Sequence, residues 1–224
     1  MTENREKLLT MFTKNDIINS KSYICCITFI FFGGHMKLNE IASAKTGLVL
    51  ARKEAKAQGE GKEYWQLNLK SVLDNGENTK EDLTRFYAAE ELPSNYLTQV
   101  GDVIVKTSEP YTAIYISEEY ANLVIPSHFV IVRVDGTKAI PEYIAWYLNK
   151  DRIKKTYSMG CAGMLKQIRP TAIAETEIKL PSLERQHQVV EVYNLAQKEL
   201  KLIDELRAKK EVYYKALINK INRM

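Results

Sequence analysis

From Ser182 to Met224 the chain contains neither proline nor glycine, and its apolar residues recur at helical spacing. The residues before it alternate like a strand from Glu177 to Leu180, Pro181 ends that strand, and Ser182 can cap a helix whose first turn carries Glu184. One helix over 182–224 would reach roughly 60 Å at 1.5 Å per residue. That is more length than one small domain needs for its own core, so such a helix meets another helix. Val189, Tyr193, Ala196, Leu200 and Ile203 follow a four-three spacing. Leu206 shifts the register, and Tyr213, Leu217 and Ile221 resume it. Arg207 and Lys210 stand where an unbroken heptad would place apolar residues, so the seam is interrupted. The competing reading is a C-terminal helix lying on its own domain.

A chain of 224 residues, 45% hydrophobic and 27% charged, can bury one good core plus an appendage. The net charge of +4 permits a phosphate-rich partner without requiring one. Three cysteines, Cys25, Cys26 and Cys161, supply no disulfide framework and no zinc spacing, which points to a reducing cytoplasm. Residues 1–35 stand apart as a leader. Tyr23 to Phe32 is an apolar run of signal-peptide length, too short for an ordinary membrane span. Gly33-Gly34-His35-Met36 can also be encoded by GGA-GGA-CAT-ATG, a ribosome-binding sequence just before a start codon, and on that preferred reading Met36 is the natural start.

The central region, 36–181, reads as many short strands with few helices. Leu38 and Ile41 face inward in the first element, and Leu48 to Gly61 is a solvated loop or short helix. Tyr64 to Leu69 alternates as a strand, and Asp74-Asn75-Gly76 is a turn. Gly101-Asp102 turns into a strand at Val103-Ile104-Val105, and Ala113 to Ile116, Leu123 to Ile125 and Phe129 to Val134 are three more. Pro141 starts a helix through Asn149 that Lys150 to Tyr157 can extend. Ser158 to Met164 is a flexible loop, and Ile168 to Leu180 returns as extended chain. The predicted class is α+β: a mixed, β-rich domain over 36–181 followed by one long helix over 182–224 that pairs as a coiled-coil-like dimer.

Several segments together resemble the specificity (S) subunit of Type I restriction-modification enzymes. They are Leu38-Asn39-Glu40-Ile41-Ala42 with Lys45-Thr46-Gly47, Leu97-x-x-Val100-Gly101-Asp102-Val103-Ile104-Val105, and Ser127-His128-Phe129-Val130 followed by Pro141 to Leu148. Above all there is Ile178-Lys179-Leu180-Pro181-Ser182-Leu183-Glu184-Arg185-Gln186 entering the long helix. The resemblance spans 36–224 and implies a target-recognition domain that reads double-stranded DNA, recruits methyltransferase (M) subunits and is joined by motor-nuclease (R) subunits for cleavage. It also implies no catalysis and no cofactor in this chain. A full-length S subunit has two recognition domains and two antiparallel helices. This chain is similar to half of one, so a homodimer through the helix residues named above would restore the arrangement and read a symmetric bipartite target. A truncated, inactive product is the alternative.

Reading bases needs donors and acceptors on loops with cations beside them for phosphates. Three loops have that character: Lys45, Thr46, Arg52 and Lys53; Lys106, Thr107 and Ser108; and Lys166, Gln167 and Arg169. The first and third are the stronger candidates. Tyr157 and Ser158 can close on DNA beside Gly160 and Gly163, or Tyr157 packs on the domain. His128 reads as a satisfied strand histidine, and Tyr64, Trp65, Trp146 and Tyr147 as core rather than a stacking platform. Two other classes compete: an assembly protein whose β-rich domain binds protein without reading DNA, and a metal-dependent nuclease using Asp102, Glu177 and Lys179. The sequence carries no phosphate loop, dinucleotide fingerprint, metal cluster or methyltransferase motif.

Overall fold

The computed structural model describes residues 35–55, 61–76, 78–160 and 167–223. The leader of residues 1–34, with its apolar run, lies outside the described residues. The elements run β1 (His35–Lys37), β2 (Ala42–Thr46), β3 (Lys62–Gln66), β4 (Thr84–Ala88), β5 (Asp102–Lys106), β6 (Ala113–Tyr115) and β7 (Phe129–Val134). They continue through α1 (Pro141–Leu148), α2 (Asp151–Gly160), α3 (Pro170–Ala174), β8 (Glu177–Lys179) and α4 (Leu183–Asn222). Short 3-10 turns fill several connections.

The centre is an antiparallel sheet in the order β2-β7-β5-β6. Every residue of β5 is buried, as are the first four of β7, so both faces are covered and the strands read as unbroken apolar runs. Val103, Val105, Val130 and Val132 pack on one face with Leu38, Tyr143, Ile144, Leu148, Tyr157, Ile173 and Ile178 from the 3-10 turn after β1, the helices and β8. Ile104, Ile114, Phe129 and Ile131 pack on the other with Leu67, Val72, Leu123 and Ile125. A ribbon of β3 and β4 closes a third cluster over Leu48, Phe86, Leu92 and Val124.

Local chemistry sets the boundaries. Gly101 enters β5 with φ of 90°, a left-handed conformation that glycine adopts without strain. Pro141 occupies the first turn of α1, where its missing N–H costs nothing. The expected extension of α1 is a separate helix, because Asn149 at its end is committed to the sheet. Its Oδ1 accepts from the Ala113 N–H at 3.0 Å and its Nδ2 donates to the Ala113 carbonyl at 2.6 Å, supplying the exposed side of β6 with a partner. Ser158 belongs to α2 rather than to a loop. Two other expectations change. The segment 168–180 is not extended throughout, since Pro170 starts α3 in the same way that Pro141 starts α1. Leu123 to Ile125 forms only isolated bridges, Val124 lying between Gln66 and Leu97 before Pro126.

β1 and β8 pair antiparallel, Met36 opposite Ile178, and so tie the start of the described chain to the strand that leads into α4. Ser182 stands at the N-cap without a side-chain capping bond. Gln186, four residues on, is fully buried. Its Oε1 accepts from the Ile140 N–H at 2.8 Å, and its Nε2 donates to the Pro181 carbonyl at 2.8 Å. Val189 and Val190 pack on the domain core, and Tyr193 donates to the Asn75 carbonyl at 3.5 Å. From Lys198 onward every described residue of the helix is exposed.

Replacing Gln186 with leucine keeps most of the bulk but orphans two backbone groups, at about 1–3 kcal/mol each. At roughly 2–4 °C per kcal/mol for a chain of this size, the thermal midpoint should fall by about 4–24 °C. Thermal denaturation of the Gln186→Leu chain checks this.

Candidate nucleic-acid interface

The antiparallel ladder gathers at one end of the central sheet the segments that the sequence holds apart. Thr46 pairs with Val130 and Lys106 with Phe129, so the exits of β2 and β5 lie on either side of the entry to β7. The Thr107 N–H and hydroxyl both donate to the His128 carbonyl at 3.0 Å. The Ile168 N–H donates to the Thr107 carbonyl at 2.8 Å, which brings Gln167 and Arg169 to the same end. Ser158 donates to the Glu109 carboxylate at 2.7 Å. Gly47 holds Thr46 there: a Cβ at position 47 would lie 2.2 Å from the Pro126 carbonyl oxygen, so only glycine lets the chain pass so close.

Within this set the exposed side chains are Lys45, Thr46, Arg52, Gln167 and Arg169, with Ser108, Ser158 and Lys53 half-buried. Lys53 pairs with Glu90, and its carbonyl accepts from the Ala89 N–H, so it sits beside the β3–β4 ribbon. Lys166 lies outside the described residues. Three candidates point inward. Lys106 is buried with its ammonium 3.4 Å from Asp74, Thr107 is buried on the His128 carbonyl, and Tyr157 is 4% exposed with its hydroxyl 2.7 Å from that of Thr176. These three support the loops from below. The other end of the sheet is closed: Asp102 is buried, accepts from the Gln99 N–H at 2.9 Å and pairs with Arg133 at 3.0 Å. Its carboxylate is therefore committed, on a different sheet from Glu177 and Lys179. Among the described residues no cluster of three metal-ligating side chains occurs, and no helix is long and apolar enough to cross a membrane.

Two aromatic readings change. Tyr64 is half-buried toward the third cluster, but its neighbour Trp65 faces outward, 46% exposed, with the Arg85 guanidinium 5.3 Å from its ring. The alternation was legible; which face looked inward was not. His128 stacks on Phe129 at 4.6 Å, and its Nε2 is buried with no hydrogen-bond partner among the described residues, so it is not a fully satisfied strand histidine. Burial lowers its pKa.

The family model described as the Type I restriction modification DNA specificity domain matches residues 34–208. No curated protein sequence matches the chain. Among solved structures, the HsdS subunit from Thermoanaerobacter tengcongensis is similar over 80% of this chain and 46% of its own, with 17% identity and a TM-score of 0.62. A chain described under "Structural basis underlying complex assembly and conformational transition of the type I R-M system" is similar over 79% of this chain and 45% of its own, with 16% identity and a TM-score of 0.60. At these identities the likeness is one of fold. The chain spans a little under half the length of each of these two.

The tyrosines behind the interface give a pH test. Burial pushes the Tyr143 and Tyr157 phenols up to about 12. The folded chain holds these protons more tightly than the unfolded chain does, so their contribution is complete below about pH 10 and is lost as pH rises toward 12. Chemical denaturation should show stability falling across that window, and more shallowly in Tyr143→Phe and Tyr157→Phe.

Proposed function

The chain belongs to the Type I restriction modification DNA specificity domain family, and on that membership we propose that it is the sequence-recognition subunit of a Type I restriction-modification complex. It reads double-stranded DNA and directs methyltransferase (M) and, for cleavage, motor-nuclease (R) partners, without catalysing either reaction itself. The observation that carries this reading is the convergence of Thr46, Ser108, Gln167 and Arg169, drawn from three separate loops, at one end of the central sheet. Small hydroxyls and an amide beside cations are what base reading and phosphate contact together require.

The recognition domain completes a bipartite reader by pairing, through α4, with a second copy of the chain. The exposed remainder of that helix supports the pairing. Leu200, Ile203, Leu206, Tyr213, Leu217 and Ile221 are solvent-exposed in the single chain, and Ala196 is exposed with them, whereas Val189 and Tyr193 already pack on their own domain. A symmetric dimer reads a symmetric target.

If the converging loops read DNA, Thr46→Ala or Gln167→Ala should alter target choice by about 1–3 kcal/mol at one base. Lys45→Ala or Arg169→Ala should weaken binding to every sequence and flatten its salt dependence. Titrations against cognate and random duplexes at several salt concentrations separate the two classes, and wild-type behaviour in all four variants would sink this placement of the interface. In sedimentation experiments, polar replacement of Leu200, Ile203 and Leu217 together should turn a dimer into a monomer. A wild-type chain that is monomeric both alone and with M subunit would rule out pairing.

A further inference from the structure

A cleft of about 1000 Å³ opens between α1–α2 on one side and α3–β8 on the other. Four cations line it, Lys150, Arg152, Arg169 and Lys179, against two carboxylates, Glu175 and Glu177. None of the four cations forms an ion pair with a carboxylate among the described residues. Lys150 is held with its ammonium 3.9 Å from the Trp146 ring centroid and 4.2 Å from that of Tyr147, a shelf that fixes a cation without neutralising it. Burial, and then repulsion by Lys179, lowers the Lys150 pKa, as expected for two cations lining one cleft. The Lys179 backbone is fixed by the same aromatic pair: its N–H donates to the Tyr147 hydroxyl at 3.1 Å, and its carbonyl accepts from Tyr143 at 2.8 Å.

Like charges held together in a partly desolvated cleft are unfavourable until an anion joins them. The cleft's far end is Gln167 to Arg169, the segment bonded to Thr107 at the reading end of the sheet. It therefore continues the proposed interface down the helical side of the domain. We infer that this cleft takes the sugar-phosphate backbone of the DNA flanking the bases that are read, with Lys150 and Lys179 as paired phosphate contacts. This rests on the DNA-reading function above and extends it to a positioning surface that carries no base preference.

Trp146 and Trp65 are the two tryptophans of the chain, so a Trp65→Phe chain carries one emitter, directly beneath Lys150. Adding a random-sequence duplex should change Trp146 emission, and Lys150→Gln with Lys179→Gln should abolish that change. Each lost phosphate contact should flatten the slope of log affinity against log salt by about 0.9. The double variant should therefore lose nearly two units of slope, bind every duplex more weakly, and keep its ratio of cognate to random affinity. Lys150→Arg, which preserves charge and shelf, should retain the wild-type slope. A double variant with the wild-type melting point, slope and emission change would overturn the cleft while leaving the reading loops intact. If the double variant does not fold, single Lys179→Gln, at an exposed strand position, decides by the same slope. Failure of the wild-type chain to bind any duplex, alone or with M subunit, would instead overturn DNA reading itself and the cleft with it.

Discussion

The architecture depends on one buried carboxamide. A polar side chain removed from water destabilises the fold unless both of its ends find partners, and Gln186 finds them on two different elements. Its acceptor end satisfies the Ile140 N–H just before Pro141, and its donor end takes the carbonyl of Pro181. The three points lie at the start of α1, the end of β8 and the first turn of α4. Rotation of the long helix about its entry would break at least one of these bonds. The exit direction of α4 is therefore set by directional bonds as well as by apolar packing, which alone would tolerate sliding. Val189 and Val190 then add contact on the core over the next turn.

The two ends of the central sheet have opposite characters for a related reason. At the Asp102 end a buried carboxylate meets Arg133 across the β5–β7 pair, so both charges are committed to each other. At the Thr46 end the bonds run through backbone, Thr107 to His128 and Ile168 to Thr107, so the side chains flanking them are free to face solvent. Lys106 and Tyr157 hold this end from beneath. A rigid floor with polar side chains above it favours recognition, because positions held by packing lose less entropy when a ligand arrives.

Much of this was legible in the sequence where a local rule and the tertiary environment agree. β5 and β7 are apolar runs bounded by a glycine turn and by polar residues. α1 announces itself through Pro141 and its apolar stripe, and α4 through unbroken helical spacing after Pro181. Legibility failed where a distant residue decides. Nothing near Lys106 indicates that the Asp74 loop lies over it, so a lysine ending a strand reads as a surface charge although it is buried. Trp65 and Tyr64 differ only in which face of the ribbon packs on Leu48 and Val124, and a period of two leaves that choice open. The role of Gln186 was invisible too, since a glutamine near a helix start most often faces water.

The exposed length of α4 shows why its apolar seam looked broken. At about 100° per residue, Val189, Tyr193, Ala196, Leu200 and Ile203 fall on one stripe of a straight helix, and Tyr214, Ile218 and Ile221 continue it beyond Arg207 and Lys210. Val192, Leu195, Leu202, Leu206 and Tyr213 form a second stripe roughly 90° away. The four-three pattern that steps to Leu206 and Tyr213 therefore crosses from the first stripe to the second where the two cations interrupt it. Both stripes are largely open to solvent past the domain, with Leu202 and Leu206 as exposed as Leu200. A single straight partner following the first stripe would meet Arg207 and Lys210, whereas one crossing at an angle moves onto the second stripe at that point and keeps its apolar contact. For a partner helix the cations thus favour a crossing geometry over a parallel-sided seam, and Glu211, 3.4 Å from Arg207, pairs with that guanidinium along its own helix.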